Sequence, residues 1–361
     1  MNIGIIDADL LDNGTRHPNL ALMKISSHLK QLGNTVNLLK SYETDLFYNY
    51  DKIYLSKVFT FTKHPDLRSI HSNLIYGGTG FFQDGSDALP NEIEHIMPDY
   101  SLYNDFIAAK IAGGSPKSFT SDYTDFSIGF TTRGCFRKCS FCVNKRFDKA
   151  TIHSPINEFF DVSRKKIALW DDNFLACSEW KSILHSLKET NKPFEFRQGL
   201  DIRLITDEIA NELSSCKYNG DLTFAFDHIN LKDIITSKIC ILQNHIASSK
   251  NLRFYILCGF HSQDMNDLIS TLERIKVLMQ LGCLPYIMRH ELYLQSPFKA
   301  MYVQLARWCN QPSLLKKKSF RQFIEMQKDV QPGAYAMSIQ FEKDYPEIAK
   351  KYFDLHFIPN K

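Results

Sequence analysis

Three cysteines in this 361-residue chain stand close enough together to act as one chemical unit, since Cys135, Cys139 and Cys142 form a C-x3-C-x2-C array within RGCFRKCSFC. A structural zinc site asks for a fourth ligand, usually from a second C-x2-C or H-x3-H pair, and the sequence downstream offers none. A redox C-x2-C would use Cys139 and Cys142 and leave Cys135 idle. Three thiolates within eight residues suit a cubane iron–sulfur cluster, because soft sulfur selects it and a tight loop can wrap three of its corners. The fourth iron then has no protein ligand. By the logic that separates open catalytic metal sites from closed structural ones, that iron is where a substrate or cofactor binds. Arg133, Arg137, Lys138, Lys145 and Arg146 flank the array. Cations there would help hold a negatively charged thiolate cluster; a solvated basic loop would carry the same residues.

The other six cysteines, Cys177, Cys216, Cys240, Cys258, Cys283 and Cys309, are scattered, most of them in apolar surroundings such as Tyr255-Ile256-Leu257-Cys258. An odd total of nine, behind an N-terminus with no basic segment leading an apolar run, argues against a disulfide framework. These six read as small buried hydrophobes.

With Phe141 directly before its last cysteine, the array resembles the signature of the radical S-adenosylmethionine (SAM) superfamily. The resemblance implies a 4Fe-4S cluster held by Cys135, Cys139 and Cys142, with Phe141 beside the cofactor. The open iron would chelate the amino and carboxylate groups of SAM. Reduction would cleave SAM to methionine and a 5′-deoxyadenosyl radical, which takes hydrogen from a substrate. An external electron donor such as flavodoxin or ferredoxin is implied as a partner. The radical chemistry belongs to the cofactor, and the protein supplies placement and shielding.

The elements that must position these residues alternate in kind. β-rich runs occupy residues 126–132, 166–170, 193–197, 222–226, 252–258 and 284–288, and helix-like stretches lie at 175–189, 206–217, 231–247 and 264–281. Apolar strands alternating with helices predict parallel βα units, and six of them make a partial barrel whose chemistry sits at the carboxyl ends of the strands. Each run is indeed followed by polar groups: the cysteines; Asp171, Asp172 and Asn173; Gln198, Gly199 and Asp201; Asp227 and His228; Phe260 and His261; Arg289 and His290. Taken singly, any of these is more simply a helix cap or a turn. The pattern also resembles the (β/α)6 partial TIM barrel of the radical SAM fold. LWDDNF resembles the second-strand motif that receives the SAM amino group in relatives with an extra front domain, which nominates Asp171, Asp172 and Asn173. RQGLDIR resembles the third-strand segment of those relatives and nominates Gln198, Asp201 and Arg203. Asp227 is placed by the same resemblance near the ribose and Met288 near the adenine.

Residues 1–120 read differently. Strands are predicted at 2–6, 35–39, 52–58 and 73–76, with an amphipathic helix at 20–32, a doubly wound Rossmann-like pattern that binds ligands at its strand ends. Gly77-Gly78-Thr79-Gly80 is either a close backbone approach to a ligand or a tight turn. Position ahead of the barrel makes this domain similar to the cobalamin-binding-like domain of one radical SAM subgroup, and the 89–103 segment resembles the link between the two. Members holding cobalamin through histidine carry Asp-x-His-x-x-Gly after the first strand. Here Asp9 and Asp12 replace the His and the Gly, and His17 is displaced too far to substitute. That argues against histidine-ligated cobalamin and for a vestigial or substrate-handling domain.

The expected organisation is therefore a Rossmann-like domain (1–120), a radical SAM partial barrel (121–290) and a helical C-terminal extension (291–361) that shields the radical. Lys316, Lys317 and Lys318 in that extension read as a solvated helix end. A net charge of +3, from 43 basic and 40 acidic residues, gives no electrostatic case for a nucleic-acid binder. No run of about 18 apolar residues suggests a membrane span, so a cytoplasmic address is expected. The expected activity is radical SAM chemistry on an unknown substrate. The alternatives are a cobalamin-dependent radical SAM methylase and a non-catalytic iron–sulfur protein.

Overall fold

The computed structural model describes residues 1–14, 17–67, 72–82 and 88–360. Four apolar runs near the N-terminus pair as parallel strands, β1 (Asn2–Asp7), β2 (Thr35–Leu38), β3 (Lys52–Ser56) and β4 (Leu74–Gly77), in the order β2-β1-β3-β4. The centre of β1 is buried on both faces, so its NIGIID sequence shows no alternation. Ile5 packs with Leu22, Met23 and Tyr103 on one side, while Ile6 packs with Leu39, Phe47 and Leu55 on the other. Each such side chain, fully buried, contributes about 1.5–3 kcal/mol. The helix Leu20–Gln31 starts where the Asn19 side chain accepts the Leu22 amide at 3.2 Å, satisfying one of the donors a helix start leaves open. Strand order reverses beside β1, the place where open parallel sheets leave a crevice at their carboxyl ends.

Further along, β5 (Phe126–Gly129) stops short of the 126–132 run. The chain then forms β6 (Thr132–Arg133), which pairs antiparallel with β7 (Thr151–Ile152) and so brackets the cysteine segment in a hairpin. β8 (Lys166–Leu169) and β9 (Phe194–Phe196) complete a parallel sheet in the order β5-β8-β9. A Cβ at Gly129 would collide with the Phe159 ring, so the residue at the end of β5 has to be glycine.

The chain divides into two compact units, Met1–Arg197 and Gln198–Lys361, a division that falls inside the 121–290 stretch. The second unit holds β10 (Leu222–Ala225), β11 (Leu252–Cys258) and β12 (Leu284–Arg289), all parallel and in sequential order, with a parallel bridge from Leu200 to Phe224. Its helices Lys232–His245 and Met265–Gln280 match the expected βα alternation. The C-terminal region is helical, but the stretch at 334–353 is two helices, Pro332–Asp344 and Pro346–Tyr352, because Pro346 has no amide hydrogen to continue the first. The architecture is thus mixed α/β with parallel sheets. Among the described residues no helix is long and apolar enough to cross a membrane.

Candidate functional site

The Asp171-Asp172-Asn173 run leaves the end of β8, and its three side chains do three different things. Asp171 is fully buried. Its Oδ1 accepts the Thr132 amide at 2.5 Å and the Thr131 and Thr132 hydroxyls at 2.6 Å each, and its Oδ2 accepts the Thr131 amide at 3.2 Å. Burial pushes its carboxyl pKa up, and the threonine hydrogen bonds oppose the shift. This carboxylate ties the chain end beyond β5 to β8. Asp172 accepts the Gly134 amide at 2.7 Å and the side-chain amide of Asn144, and Arg133 Nε lies 3.6 Å away. Asn173 donates from Nδ2 to Cys135 Sγ at 3.2 Å. The other end of that amide, Oδ1, is buried without a hydrogen-bond partner.

The cysteine segment between Arg133 and Asp148 has almost no regular structure, so side chains shape it. Gly134 has φ 98°, and a Cβ there would strike the Lys149 carbonyl and the Phe147 side chain. Lys138 Nζ donates to the carbonyls of Lys145 (2.7 Å) and Phe147 (2.6 Å) and pairs with Asp148 at 2.7 Å. Of the flanking cations, Lys138 thus closes the loop, and Arg133 packs 4.0 Å over the Phe130 ring. Phe141 is half-buried. The Cys142 amide donates to the Cys139 carbonyl at 3.0 Å.

The three cysteines are half-buried. Backbone amides of Arg137 and Asn144 point at Cys135 Sγ (3.3 Å) and Cys142 Sγ (3.4 Å). Such N–H···S contacts stabilise negative sulfur and tune iron–sulfur centres. Among the described residues no three His, Cys, Asp or Glu side chains converge tightly enough to chelate one ion. A four-iron cluster takes one thiolate per iron, so its ligands surround a body rather than a point. The donor set fits that group: sulfur ligands, N–H donors to sulfur, and a buried acceptor left over beside Cys135. Cys177, Cys258, Cys283 and Cys309 are buried, and burial pushes their thiols up, Cys258 to about 12. Cys240 is exposed and Cys216 half-buried, so the buried-hydrophobe reading does not extend to them.

At the end of β1, the acidic residues are consumed by their own chain. Asp7 accepts the Leu10 amide (3.1 Å) and the Tyr103 hydroxyl (2.8 Å), and burial raises its pKa to about 7. Asp9, standing where a histidine ligand to cobalamin would be, accepts the amides of Val58 (2.7 Å) and Phe59 (3.4 Å) and the Thr62 hydroxyl (2.5 Å). The residues there do not fit histidine ligation of cobalamin. Gly78 and Gly80 lie against the backbone of Lys57 and Phe59, so the glycine turn approaches the protein's own chain. His17 pairs with Asp122, which also binds Arg197 at 2.9 Å.

In the second unit, Gln198 is exposed and Asp201 is paired with Arg203 through Nε (2.6 Å) and Nη2 (3.1 Å). Burial raises the Asp227 carboxyl, opposed by Arg274, whose buried guanidinium donates to the carbonyls of Phe226, Asp227 and Leu257 at 2.9–3.0 Å. Met288 is 45% exposed at the end of β12. The ends of β10, β11 and β12 bring together a row of rings: His228 and His261 at 4.2 Å, His261 and Phe260 at 4.9 Å, Phe260 and His290 at 4.7 Å. Lys316 donates to the Asn251 side chain at 2.8 Å.

Sequence reading missed Thr131, Thr132 and Asn144, whose only signal was their closeness to the cysteines. It also missed Arg274, a lone cation among Leu268, Thr271 and Leu278 on a buried helix face. A groove of about 750 Å³ lined by residues including Lys30, Asp99 and Phe160 contains none of the cysteine-loop residues. The site is defined by side-chain arrangement rather than by that cavity.

No protein-family profile matches the sequence, and no curated protein matches it significantly. Among solved structures, the chain is similar to the cobalamin-dependent S-adenosylmethionine radical enzyme OxsB with aqua-cobalamin and S-adenosylmethionine bound, at 13% identity and a TM-score of 0.47, over 99% of this chain and 64% of that one. The same enzyme with aqua-cobalamin alone gives 13% identity and a TM-score of 0.47, over 96% and 61%. Its apo form gives 11% and 0.38, over 99% and 64%. The chain thus spans under two thirds of that enzyme's length.

Proposed function

We propose that the chain is a radical SAM enzyme, with the Rossmann-like front domain and (β/α)6 partial barrel expected of one, in which Cys135, Cys139 and Cys142 hold a 4Fe-4S cluster. The observation that carries the reading is the surroundings of Cys135: a thiol in a C-x3-C-x2-C array, with N–H donors from Arg137 and Asn173 on its sulfur and the unpartnered Asn173 Oδ1 beside it. A buried acceptor without a donor is costly, about 1–3 kcal/mol, so this oxygen offers a place for the donor of a ligand or of a bound water. The ammonium of SAM is that donor in this reading. When bound, the cluster supplies the electron that cleaves SAM to methionine and a 5′-deoxyadenosyl radical.

The chain's own residues position and hold. Asp171 fixes Thr131 and Thr132 ahead of the loop, Lys138 closes the loop behind it, and the surrounding cations offset thiolate charge. Gln198, Asp201, Arg203, Asp227 and Met288 are assigned to the remainder of SAM by resemblance, and an external flavodoxin or ferredoxin to electron supply.

Anaerobic reconstitution with iron and sulfide is expected to give about four irons per chain and cluster absorbance, and addition of dithionite and SAM to give 5′-deoxyadenosine. Full iron retention after all three cysteines are changed to alanine would overturn the ligand assignment. SAM left intact by a loaded, reduced protein would sink the enzymatic reading in favour of a non-catalytic iron–sulfur protein.

A further inference from the structure

We propose that Asp172 is a positioning residue, the staple that holds the cysteine loop in its ligating shape, and that within the Asp171-Asp172-Asn173 run only Asn173 faces the bound ligand. The inference rests on the cluster reading above and divides a motif that the sequence treats as one unit.

The three cysteines lie between residues 134 and 144, and both ends of that segment hang from a single carboxylate. Asp172 Oδ2 accepts the Gly134 amide at 2.7 Å, just ahead of Cys135, and Oδ1 accepts the Asn144 side-chain amide, just after Cys142. Its charge is met by Arg133, 3.6 Å from Oδ2, and its side chain is only 12% exposed. Inside the segment there is no helix or strand, and the Cys142 amide donates to the Cys139 carbonyl. A loop without helix or strand of its own relies on side-chain tethers to hold three thiolates in register. Asp172 spans both ends at once, and its two oxygens are already oriented by those donors. A ligand ammonium would have to compete with Arg133 for the same carboxylate. Asn173 is in the opposite condition: it is 5% exposed, its Nδ2 is committed to Cys135, and its Oδ1 has no partner. The neighbours thus differ in kind, one satisfied by the loop and one left with an acceptor beside it.

The test compares the wild type with Asp172→Asn, Asn144→Ala and Asn173→Ala. Two measurements follow reconstitution, the rate of iron loss to a chelator without SAM and the dissociation constant for SAM of the loaded fraction. A third, backbone amide exchange over residues 134–144, is made on the apo-protein, with circular dichroism as the check on folding. Asp172→Asn and Asn144→Ala are expected to lose iron about tenfold faster, with SAM affinity of the loaded fraction unchanged and loop exchange accelerated. Asn173→Ala is expected to show a different pattern: wild-type loop exchange, iron loss faster than wild type through the lost donor to Cys135 but slower than in the loop variants, about tenfold weaker SAM binding, and a reduced-cluster spin signal that no longer responds to SAM. Asn144→Ala keeps the Asp172–Arg133 pair and the Gly134 amide contact in place, and serves if Asp172→Asn does not fold. An Asp172→Asn protein that keeps its iron but loses SAM affinity would make Asp172 a ligand contact and overturn the proposal. Should the wild type take up no cluster, the functional reading fails separately; the apo-protein exchange still decides the staple, and unchanged exchange in both loop variants refutes it.

Discussion

Two strand ends in the first unit carry nearly the same acidic punctuation and use it to different ends. β1 runs into Asp7 and Asp9, and β8 runs into Asp171, Asp172 and Asn173. At β1 both carboxylates are spent on the domain's own loops, through Leu10, Tyr103, Val58, Phe59 and Thr62. At β8 two carboxylates are likewise spent, but what they hold is the approach to the cysteine loop, and the third residue keeps one buried oxygen unpartnered. Acidic residues at the carboxyl end of a parallel strand therefore default to organising local chain. Within the Asp171-Asp172-Asn173 run, the residue whose hydrogen bonding is incomplete is Asn173.

The largest effect that bears on this contrast is expected at Asp171. Asp171→Ala leaves two amides and two hydroxyls without their acceptor, at about 1–3 kcal/mol for each one that stays buried and unsatisfied. Thermal unfolding is expected to show a loss of about 3–5 kcal/mol, at the upper end for single substitutions. A loss within about 0.5 kcal/mol would mean that this strand end is not held as described.

Next is Asp9→Ala, expected to cost about 2 kcal/mol through the freed Val58 and Phe59 amides and Thr62 hydroxyl. Titration with hydroxocobalamin should give no imidazole-ligated corrinoid spectrum in wild type or variant. A spectral shift indicating an imidazole ligand in the wild type would erase the distinction between the two strand ends.

The smallest effect is a pH slope. The Asp7 carboxyl titrates near 7 in the folded chain, held up by burial, against an ordinary value of about 3.9 when unfolded. Between those values the folded state holds the extra proton, so this group's contribution makes stability fall as pH rises from about 4 to 7. Asp7→Asn should flatten that part of the profile in denaturant unfolding at stepped pH. An unaltered slope would show that Asp7 ionises freely and is not closed in by Tyr103.

Much of the fold was legible because apolar patterning is local. The strand at 252–258 was read to the residue, and most of the others to within one or two. The break after Gly129 was not, since FSIGFTT is continuous as a pattern and is interrupted where Thr131 and Thr132 turn to meet Asp171, about forty residues away, and pair with the strand at Thr151–Ile152. The same distance hid the roles of Asn144 and Arg274, whose partners lie in other elements.

Spacing along the chain by itself determined the three candidate ligands, since nothing but a loop connects residues four and three positions apart and their proximity is covalent. It also determined that acidic and polar residues follow the strands. Which of those residues are free for a ligand was decided only by tertiary structure. A carboxylate's availability depends on donors from distant segments, and in a low-dielectric interior a buried polar group pairs with whatever donor the fold brings to it.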